Sequence, residues 1–283
     1  MYKRQTLITV TYNAGSLLQK TLQSVYDQTY SAIEHIIIDG ASTDNTVAMA
    51  KDYMERSFAS DNGHEVRILV EPDNGIYDAM NKGLKLATGD YICFLNAGDA
   101  LTGTETIKQV VEAAKRCYSG KGKQHDVTTS AGYDREALPA VVYGKTDIVD
   151  GDNRFLRHRR LTPPAHLTWR SFRNGMLVCH QAFYARTDIA RQTPYDMKYR
   201  FSADFDWCVR IMKKAEEMEL PLADCGETIA DYMEEGTTTR NHKASLKERF
   251  DIMCKYYGKL STCLYHVWFA MRNVVPGFHH ASH

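Results

Sequence analysis

The amino-acid sequence predicts an α/β fold in which a mostly parallel sheet is flanked by helices. Strand and helix patterns alternate through the first hundred residues, and each predicted strand ends in polar residues. Such alternation is typical of a parallel sheet covered by helices. With 283 residues, the chain can also bury enough apolar surface to fold without covalent staples.

The first two strand and helix pairs have clear patterns. Residues 6–10 are a short apolar run, and "EHIIIDG" is a β-branched run that ends in Asp39. "STDNTVAMAKDYM" opens with good N-cap residues and predicts the second helix. The first helix is predicted by apolar residues on one face, at Leu17, Leu18, Leu22 and Val25, with Thr21 among them.

The next two strands complete a βαβαβαβ order. "VRILVEP" is a third strand stopped by Pro72, and "YICFLNAGD" is a fourth whose polar end lies at its carboxyl side. The helix between them is predicted by the helical spacing of Ile76, Ala79, Met80, Gly83, Leu84 and Ala87.

The remainder of the chain is less regular. Residues 118–139 are polar and rich in turn formers, which indicates a surface excursion. A strand pair is predicted around a turn at residues 150–153, and helices are predicted from near Ala203 and over "ASLKERFDIMCKYYGKL". Because no repeat or Pro/Ser linker interrupts the chain, we expect a single domain over residues 1–283.

Composition narrows the functional classes. Lys plus Arg and Asp plus Glu are equal at 35 each, so no overall positive charge favours a nucleic-acid partner. The seven cysteines are scattered without a CxxC pair, which argues against a disulfide framework and a zinc knuckle. Together with the lack of a secretory signal at the start, this predicts a cytoplasmic protein.

The C-terminal segment "LYHVWFAMRNVVPGF" is the most apolar part of the sequence. It is shorter than the roughly 20 residues that span a bilayer, and Arg272 and Pro276 interrupt it. A terminal helix packed on the core is the favoured interpretation. The alternative is peripheral contact with the inner face of the cell membrane, with Trp268 and Phe269 at the interface.

Polar residues follow all four predicted strands at their carboxyl ends, where ligands bind in open parallel sheets. Turn formation or helix capping explains any one of them, but four sets at one edge indicate a binding site. The sets are Thr11, Tyr12 and Asn13; Asp39 and Ser42; Glu71, Asp73 and Asn74; and Asn96 and Asp99.

Several blocks carry a resemblance to a known family. "TVTYNAGSLLQKTLQSVYDQTY", "IIIDGASTDNT", "EPDNGIYDAMNKGLKLATGDYICFLNAGD", "CHQAFYAR" and "FSADFDWCVR" stand in this order. In order and spacing they resemble family 2 glycosyltransferases of the GT-A fold. The likeness is greatest to bacterial enzymes that build capsular, exopolysaccharide or lipopolysaccharide chains.

The resemblance implies an inverting sugar transfer from a nucleotide sugar, usually UDP-linked, to a hydroxyl. The implied acceptor is a growing bacterial surface glycan or an undecaprenyl-pyrophosphate-linked saccharide. Residues 1–100 would then bind the nucleotide sugar, residues 101–235 the acceptor, and residues 236–283 would form a helical extension. A homodimer is compatible with the sequence. A non-catalytic nucleotide-sugar or glycan-binding protein on the same fold is the alternative.

Donor-binding roles follow from the resemblance. It places the nucleobase at Thr11, Tyr12, Asn13 and Asp39, and the remainder of the donor near Asn74, Asp78, Lys82, Asn96 and Ala97. Simpler roles compete with these. Asp39 could be a turn acid, Asp78 and Lys82 could form an i,i+4 ion pair, and Ser42 and Asp44 are expected to cap the second helix.

"LNAGD" matches the acidic motif with which the family holds Mg²⁺ or Mn²⁺ against the diphosphate. Asn96 and Gly98 replace two acids of the fuller "LDADD" form, which leaves Asp99 as the sole carboxylate. One carboxylate with diphosphate oxygens and waters suffices for Mg²⁺. His242 is a candidate second ligand, although an exposed loop histidine is the simpler interpretation.

The general base of the family maps best to Asp204 in "FSADFDW", where a carboxylate would deprotonate the attacking hydroxyl. Helix capping by Asp204 and a helix-dipole role for Asp206 are the alternatives. His180 and Gln181 fall where relatives contact the donor sugar and acceptor, with Asp206 assigned beside them. His180 could equally be a satisfied core residue. The basic residues 157–160 could be a solvated face or could meet a pyrophosphate.

Overall fold

An eight-stranded sheet forms the centre of the computed structural model, which describes residues 4–119, 138–234 and 242–274. Helices flank this sheet, and its first four strands are parallel, so the predicted α/β fold is confirmed. The strands are β1 Gln5–Thr11, β2 Ile33–Asp39, β3 Glu65–Val70, β4 Tyr91–Phe94, β5 Val141–Val149, β6 Phe155–His158, β7 Phe183–Arg186 and β8 Leu222–Met233.

The helices alternate with the strands in the first half and cluster at the end of the chain. They are α1 Gly15–Tyr26, α2 Thr46–Ser60, α3 Ile76–Leu86, α4 Thr106–Ser119, α5 Thr187–Arg191, α6 Ala203–Glu217, α7 His242–Tyr257 and α8 Lys259–Val274. Two short 3-10 turns, Trp169–Asn174 and His180–Ala182, lie between β6 and β7. The predicted helices α1, α2, α3, α6 and α7 are therefore all present.

The sheet runs in the order β3-β2-β1-β4-β7-β5-β6, and β8 pairs with β5. β7 is antiparallel to both of its neighbours, β4 and β5, and joins the parallel half to the remainder. The predicted turn at residues 150–153 connects β5 to β6, with the Asn153 N–H donating to the Asp150 carbonyl. Most of the predicted surface excursion, residues 120–137, lies outside the described residues.

A close approach of α3 to β1 fixes the parallel half. A Cβ added at Gly83 would lie 2.5 Å from Cγ2 of Ile8, so only glycine lets the helix pack this near to the sheet. Because α3 begins directly after β3, this contact also fixes the loop at the carboxyl end of that strand.

Aromatic packing fixes α6 against the centre of the sheet. The ring of Trp207 on α6 is fully buried and stacks on Tyr195, with ring centroids 5.1 Å apart. Phe94 on β4 and Phe183 on β7 meet the same indole edge to face. The first turn of α6 is thereby held close to the carboxyl end of β4.

The hairpin of α7 and α8 braces the loop in front of α6. The Glu248 carboxylate on α7 accepts the backbone N–H groups of Arg200, Phe201 and Ser202 at 2.8, 2.8 and 2.9 Å. One face of α8 packs on the protein through Thr262 and Phe269, as the favoured interpretation predicts. Within the described residues, no helix is both long and apolar enough to cross a membrane.

Candidate active site

Asp39 organises the loop at the carboxyl end of β1 and β2. Its buried carboxylate accepts the Thr11 hydroxyl at 2.8 Å, and from Ser42 it accepts the N–H at 2.7 Å and the hydroxyl at 2.6 Å. The predicted role as a turn acid is therefore present. Since Oδ1 carries only one of these three bonds, it keeps a lone pair for a further donor.

Asn13 and Ser42 complete this loop. Asn13 is left-handed, with φ of 47°, and its N–H donates to the Ser42 hydroxyl at 2.8 Å. The expectation that Ser42 caps the second helix is wrong, because its hydroxyl is committed to Asp39. Asp44 does serve the helix start, accepting the N–H of Thr46, the first residue of α2.

Tyr12 and Ala97, both predicted to contact the donor, differ in their exposure to solvent. Tyr12 is 65 % exposed, so its ring is available beside the Asp39 loop. Ala97 is half-buried and packs on the apolar cluster under α1. Neither contact assigns a donor role, which stays a prediction.

The loop between β3 and α3 is held by charged side chains. Lys82 donates to the Pro72 carbonyl at 2.6 Å and lies 3.0 Å from Glu71 Oε1, whereas Asp78 is 3.9 Å away. Asp78 instead accepts the Asn74 N–H at 3.0 Å. The predicted ion pair of Asp78 and Lys82 exists, but its distance is the longest of the three contacts that the Lys82 amine makes. The donor role of these three residues stays a prediction.

Gly98 stands where the fuller acidic motif has an acid, in a turn after β4. Its φ of +98° lies in a region that side chains with a Cβ rarely adopt. Thr21 on α1 pins the turn, accepting the Gly98 N–H at 3.0 Å and donating to the Asp99 carbonyl at 2.7 Å. An aspartate at position 98 would be strained in this turn.

Asp99 is buried, and each of its carboxylate oxygens accepts one hydrogen bond. Oδ2 accepts the Gln181 amide at 2.7 Å and Oδ1 accepts the Met233 N–H at 3.1 Å. Burial raises the pKa of the Asp99 carboxyl to about 6, against the opposing influence of those hydrogen bonds, His180 and Lys20. Gln181, predicted to contact sugar, is thus a buried partner of Asp99.

The residues near Asp99 provide few cation ligands. Among the described residues, no three His, Cys, Asp or Glu side chains converge in a way that could hold a metal ion. Asn96 Oδ1 is buried and finds no hydrogen-bond partner in the described part of the chain. Its oxygen and the lone pairs left on Asp99 fit a cation held mainly by phosphate and water. The His242 side chain lies outside the described residues.

Asp204 is the centre of a polar chain that crosses four elements. The Asn96 amide contacts His180 Nε2 at 3.1 Å, and His180 Nδ1 contacts Asp204 Oδ2 at 3.3 Å. The Tyr77 hydroxyl donates to Asp204 Oδ1 at 3.3 Å. The structure thus joins three predicted site residues. Because His180 is buried with both ring nitrogens hydrogen-bonded, the alternative of a satisfied core histidine also fits it.

The charge state of Asp204 suits a proton acceptor. Burial alone would raise the pKa of this carboxyl, but the hydrogen bond and charge of His180, aided by Arg249, more than offset it and the pKa is lowered. Asp204 is the second residue of α6, and Ser202 occupies the N-cap position, so the capping alternative is wrong. Its side chain keeps 17 % exposure, which leaves access for a small group.

Asp206 does not belong to the site. It is fully buried and accepts from Arg210 Nε at 2.6 Å, Lys255 Nζ at 3.1 Å and the Tyr256 hydroxyl at 2.8 Å. The predicted sugar contact is wrong, because two positions along a helix turn the side chain by about 200°, away from Asp204. Asp206 instead ties α6 to α7.

Three residues that the sequence did not single out lie at the site. Tyr77 contacts Asp204, and Lys20 and Asp231 lie near Asp99. Burial lowers the pKa of Lys20 despite these two acids, and burial raises the pKa of Asp231 to about 6. The sequence could have indicated Tyr77, because a tyrosine with a polar hydroxyl lies among the apolar residues at the start of the helix. No feature of the sequence singled out Lys20 or Asp231.

The basic residues 157–160 do not form one surface. Arg159 is half-buried and donates to the carbonyls of Leu161 and Met176, both at 2.6 Å. Arg157 pairs with Glu234 at 2.7 Å, with both side chains about half exposed. The run is thus split between a structural arginine and an exposed ion pair.

Sequence comparisons identify relatives. The model described as Glycosyl transferase family 2 matches residues 6–192. A PGL/p-HBAD biosynthesis glycosyltransferase of Mycobacterium tuberculosis is 31% identical over 206 residues, covering 72% of this chain and 68% of the relative. An uncharacterized glycosyltransferase of the same species is 32% identical over 223 residues, covering 78% and 73%.

Structure comparisons agree on the fold. Staphylococcus aureus TarS 1-349 superposes with a TM-score of 0.64 at 15% identity, over 95% of this chain and 73% of TarS. TarS has also been crystallised with UDP and with UDP-GlcNAc. The mannosyltransferase PcManGT from Pyrobaculum calidifontis, in complex with GDP-Man and Mn²⁺, gives 0.57 at 14% identity, covering 98% and 77%.

Proposed function

Because the chain belongs to glycosyl transferase family 2, we propose that it moves a sugar from a UDP-linked donor, with inversion, to an acceptor hydroxyl. Its relatives are glycosyltransferases, and structures of its neighbours are known in complex with UDP, UDP-GlcNAc or GDP-Man. A hexose or an N-acetylhexosamine is the proposed cargo. The proposed acceptor is a bacterial surface glycan or a saccharide linked to a lipid pyrophosphate.

The single observation that carries this proposal is the environment of Asp204. A partly accessible carboxylate with a lowered pKa faces the carboxyl edge of the sheet, between His180 and Tyr77. Such a group is ionised at neutral pH and can accept a proton from an attacking hydroxyl. As the new bond to the anomeric carbon forms, the bond to the diphosphate breaks and its electron pair leaves with the phosphate oxygen.

Asp39 is proposed to read the base of the donor. The lone pair left on Oδ1 suits the imide N–H of uracil, and the exposed ring of Tyr12 offers a stacking face. Asn74, Asp78 and Lys82 are proposed to line the same edge. A lysine near the diphosphate would offset its charge, which lowers the barrier to departure.

A divalent cation is proposed to assist the leaving group. Asn96 and Asp99 would hold Mg²⁺ or Mn²⁺, with His242 as a further candidate ligand, and the ion would neutralise charge that develops on the diphosphate. The sparse ligand set supports a cation held largely by the donor itself. The structure of PcManGT, a structural neighbour, is a complex with GDP-Man and Mn²⁺.

The division of labour along the chain is also proposed. Residues 1–100 would bind the donor, residues 101–235 the acceptor, and residues 236–283 would be a helical extension. A cytoplasmic location is supported by the seven cysteines, all of which are free thiols.

Asp204→Asn tests the function. We expect donor binding to persist and transfer to fall by about a hundredfold or more, because the amide cannot accept the proton. The purified protein is first assayed against a panel of nucleotide sugars with Mg²⁺, Mn²⁺ or chelator. Asp251→Asn, at an exposed acid on α7, is the matched control and should retain full activity.

Two outcomes count against the proposal. If the wild-type protein binds a nucleotide sugar but neither transfers nor hydrolyses it, the chain is a binding protein on a transferase fold. The replacement of two motif acids by Asn96 and Gly98 is the observation that favours this alternative. If no nucleotide sugar binds under any condition, the donor assignment itself fails.

A further inference from the structure

Helix α8 presents a continuous apolar surface to solvent. We call it the exposed stripe and define it as Leu260, Cys263, Leu264, Val267 and Trp268. Leu260, Leu264 and Val267 are 78, 63 and 56 % exposed, and Trp268 is 40 % exposed. Each of these positions has another three or four residues away along the chain, so they form one face of the helix.

Tyr265 and Phe269 pack on the core, but apolar residues also cover the exposed face of α8. The buried position of α8 is Thr262, and the half-buried His266 hydrogen-bonds to the Thr262 carbonyl at 3.0 Å. Apart from Lys259, the exposed positions through residue 268 are apolar. Isolated exposed apolar residues are common, but a contiguous apolar face marks an interaction surface.

The charges around the stripe indicate what it meets. On the described side chains of α7 and α8, the exposed charged residues are Lys243, Lys247, Lys255 and Lys259 against Asp251. Lys255 pairs with Asp206, which leaves three lysines for an outside partner. The remaining acid, Glu248, is spent on backbone N–H groups of the loop before α6. An apolar helix face with a surplus of exposed lysines matches an anionic lipid surface.

We propose that the exposed stripe of α8 lies on an anionic membrane surface, with the apolar side chains at the acyl boundary and the lysines of the hairpin toward the headgroups. Trp268 would sit at the interface, where its amphipathic ring is favoured. The proposal rests on α7 and α8 alone and does not depend on the sugar transfer. In this proposal Trp268 contacts the membrane, whereas Phe269 does not, because it packs on the core.

A second copy of the chain is the competing occupant. A two-fold contact through the stripe would bring two lysine-rich hairpins together, with one exposed acid on each. Like charges brought together in this way oppose association, whereas an anionic surface is attracted by them. The charge pattern therefore favours the membrane.

Vesicle co-sedimentation of the full chain tests the proposal. We expect binding to vesicles of phosphatidylcholine with about one third phosphatidylglycerol, and binding weaker by about tenfold to phosphatidylcholine alone or at high salt. Leu264→Glu with Val267→Glu should reduce binding by about tenfold or more, because two charges would enter the apolar boundary. Phe58→Glu is the matched control, since Phe58 is 88 % exposed on α2, outside the stripe, and should bind as the wild type does.

A fluorescent label on Cys263 provides a second measurement of membrane binding, which needs no charge substitution in the stripe. With Cys117→Ser and Cys254→Ser in place, an environment-sensitive fluorophore on Cys263 should shift to shorter wavelength when anionic vesicles are added. Sedimentation equilibrium is run in parallel. The proposal is overturned if the label does not respond and the wild type does not sediment with vesicles. It is also overturned if the wild type dimerises and Leu264→Glu makes it monomeric without any vesicle binding.

Discussion

Asp204 and Asp206 are two residues apart, and the structure gives them opposite roles. We predict that Asp206→Asn destabilises the fold while leaving the chemistry of each folded molecule intact. The substitution removes the charge shared by Arg210, Lys255 and the Tyr256 hydroxyl, and leaves one acceptor oxygen in place of two.

The magnitude follows from the burial of the partners. Removing one member of a fully buried ion pair costs about 3 to 5 kcal/mol. Here the acid is buried, but Arg210 and Lys255 are 24 and 42 % exposed, so water recovers part of their solvation. We therefore expect a loss of about 2 to 4 kcal/mol in the free energy of unfolding.

Urea unfolding followed by tryptophan fluorescence measures this loss, since Trp207 lies in the same helix. Asp251→Asn should stay within about 0.5 kcal/mol of the wild type, as expected for an exposed acid. Transfer is then measured at a temperature where both variants are folded. A stability change below about 0.5 kcal/mol, or a selective loss of transfer in folded Asp206→Asn, would refute the structural role.

Three further predictions concern the donor edge. If the Lys82 amine contacts the diphosphate, Lys82→Ala should weaken donor binding by about tenfold with little change in stability. If calorimetry shows lower stability and unchanged donor affinity, Lys82 only holds the loop. Gly98→Ala should cost about 1 to 3 kcal/mol in urea unfolding, because φ is +98°; an unchanged midpoint would contradict the strain. Between its ordinary pKa near 3.8 and the raised pKa of about 6, Asp99 binds more proton in the folded state, so its contribution to stability is lost as pH rises through this window. Relative to Asp99→Asn, the wild type should lose up to about 3 kcal/mol between pH 4 and pH 6, and a difference that is constant across pH would contradict this.

The parallel half could be predicted because its signals are local. The runs that became β1 to β4 are apolar and bounded by turn residues, and the helical spacing through Gly83 matches α3. Even the packing glycine stood at a core position of the pattern. Strands β7 and β8 and helix α4 were not identified. The pairing partners of the two strands come from distant segments, so the local sequence marks these strands only weakly.

The candidate site shows the same limit. Asp204 was predicted, but Asp206 was assigned to the site with it, because both lie in one short motif. Only the partners that Asp206 finds on α6 and α7 tell the two acids apart. Asp99 was predicted as a ligand, yet its partners Gln181 and Met233 are 82 and 134 residues away. Long-range hydrogen bonds of this kind leave no trace in spacing.

The antiparallel strand at the centre of the sheet has a consequence for synthesis on the ribosome. Residues 5–94 contain the whole parallel unit, but the second edge of β4 is covered only by residues 183–186. At about 5 to 20 residues per second, the roughly 90 intervening residues take about 4 to 18 seconds to emerge. During that interval the nascent chain carries an open hydrogen-bonding edge at Tyr91 and Ile92, where a chaperone or a neighbouring nascent chain would pair first.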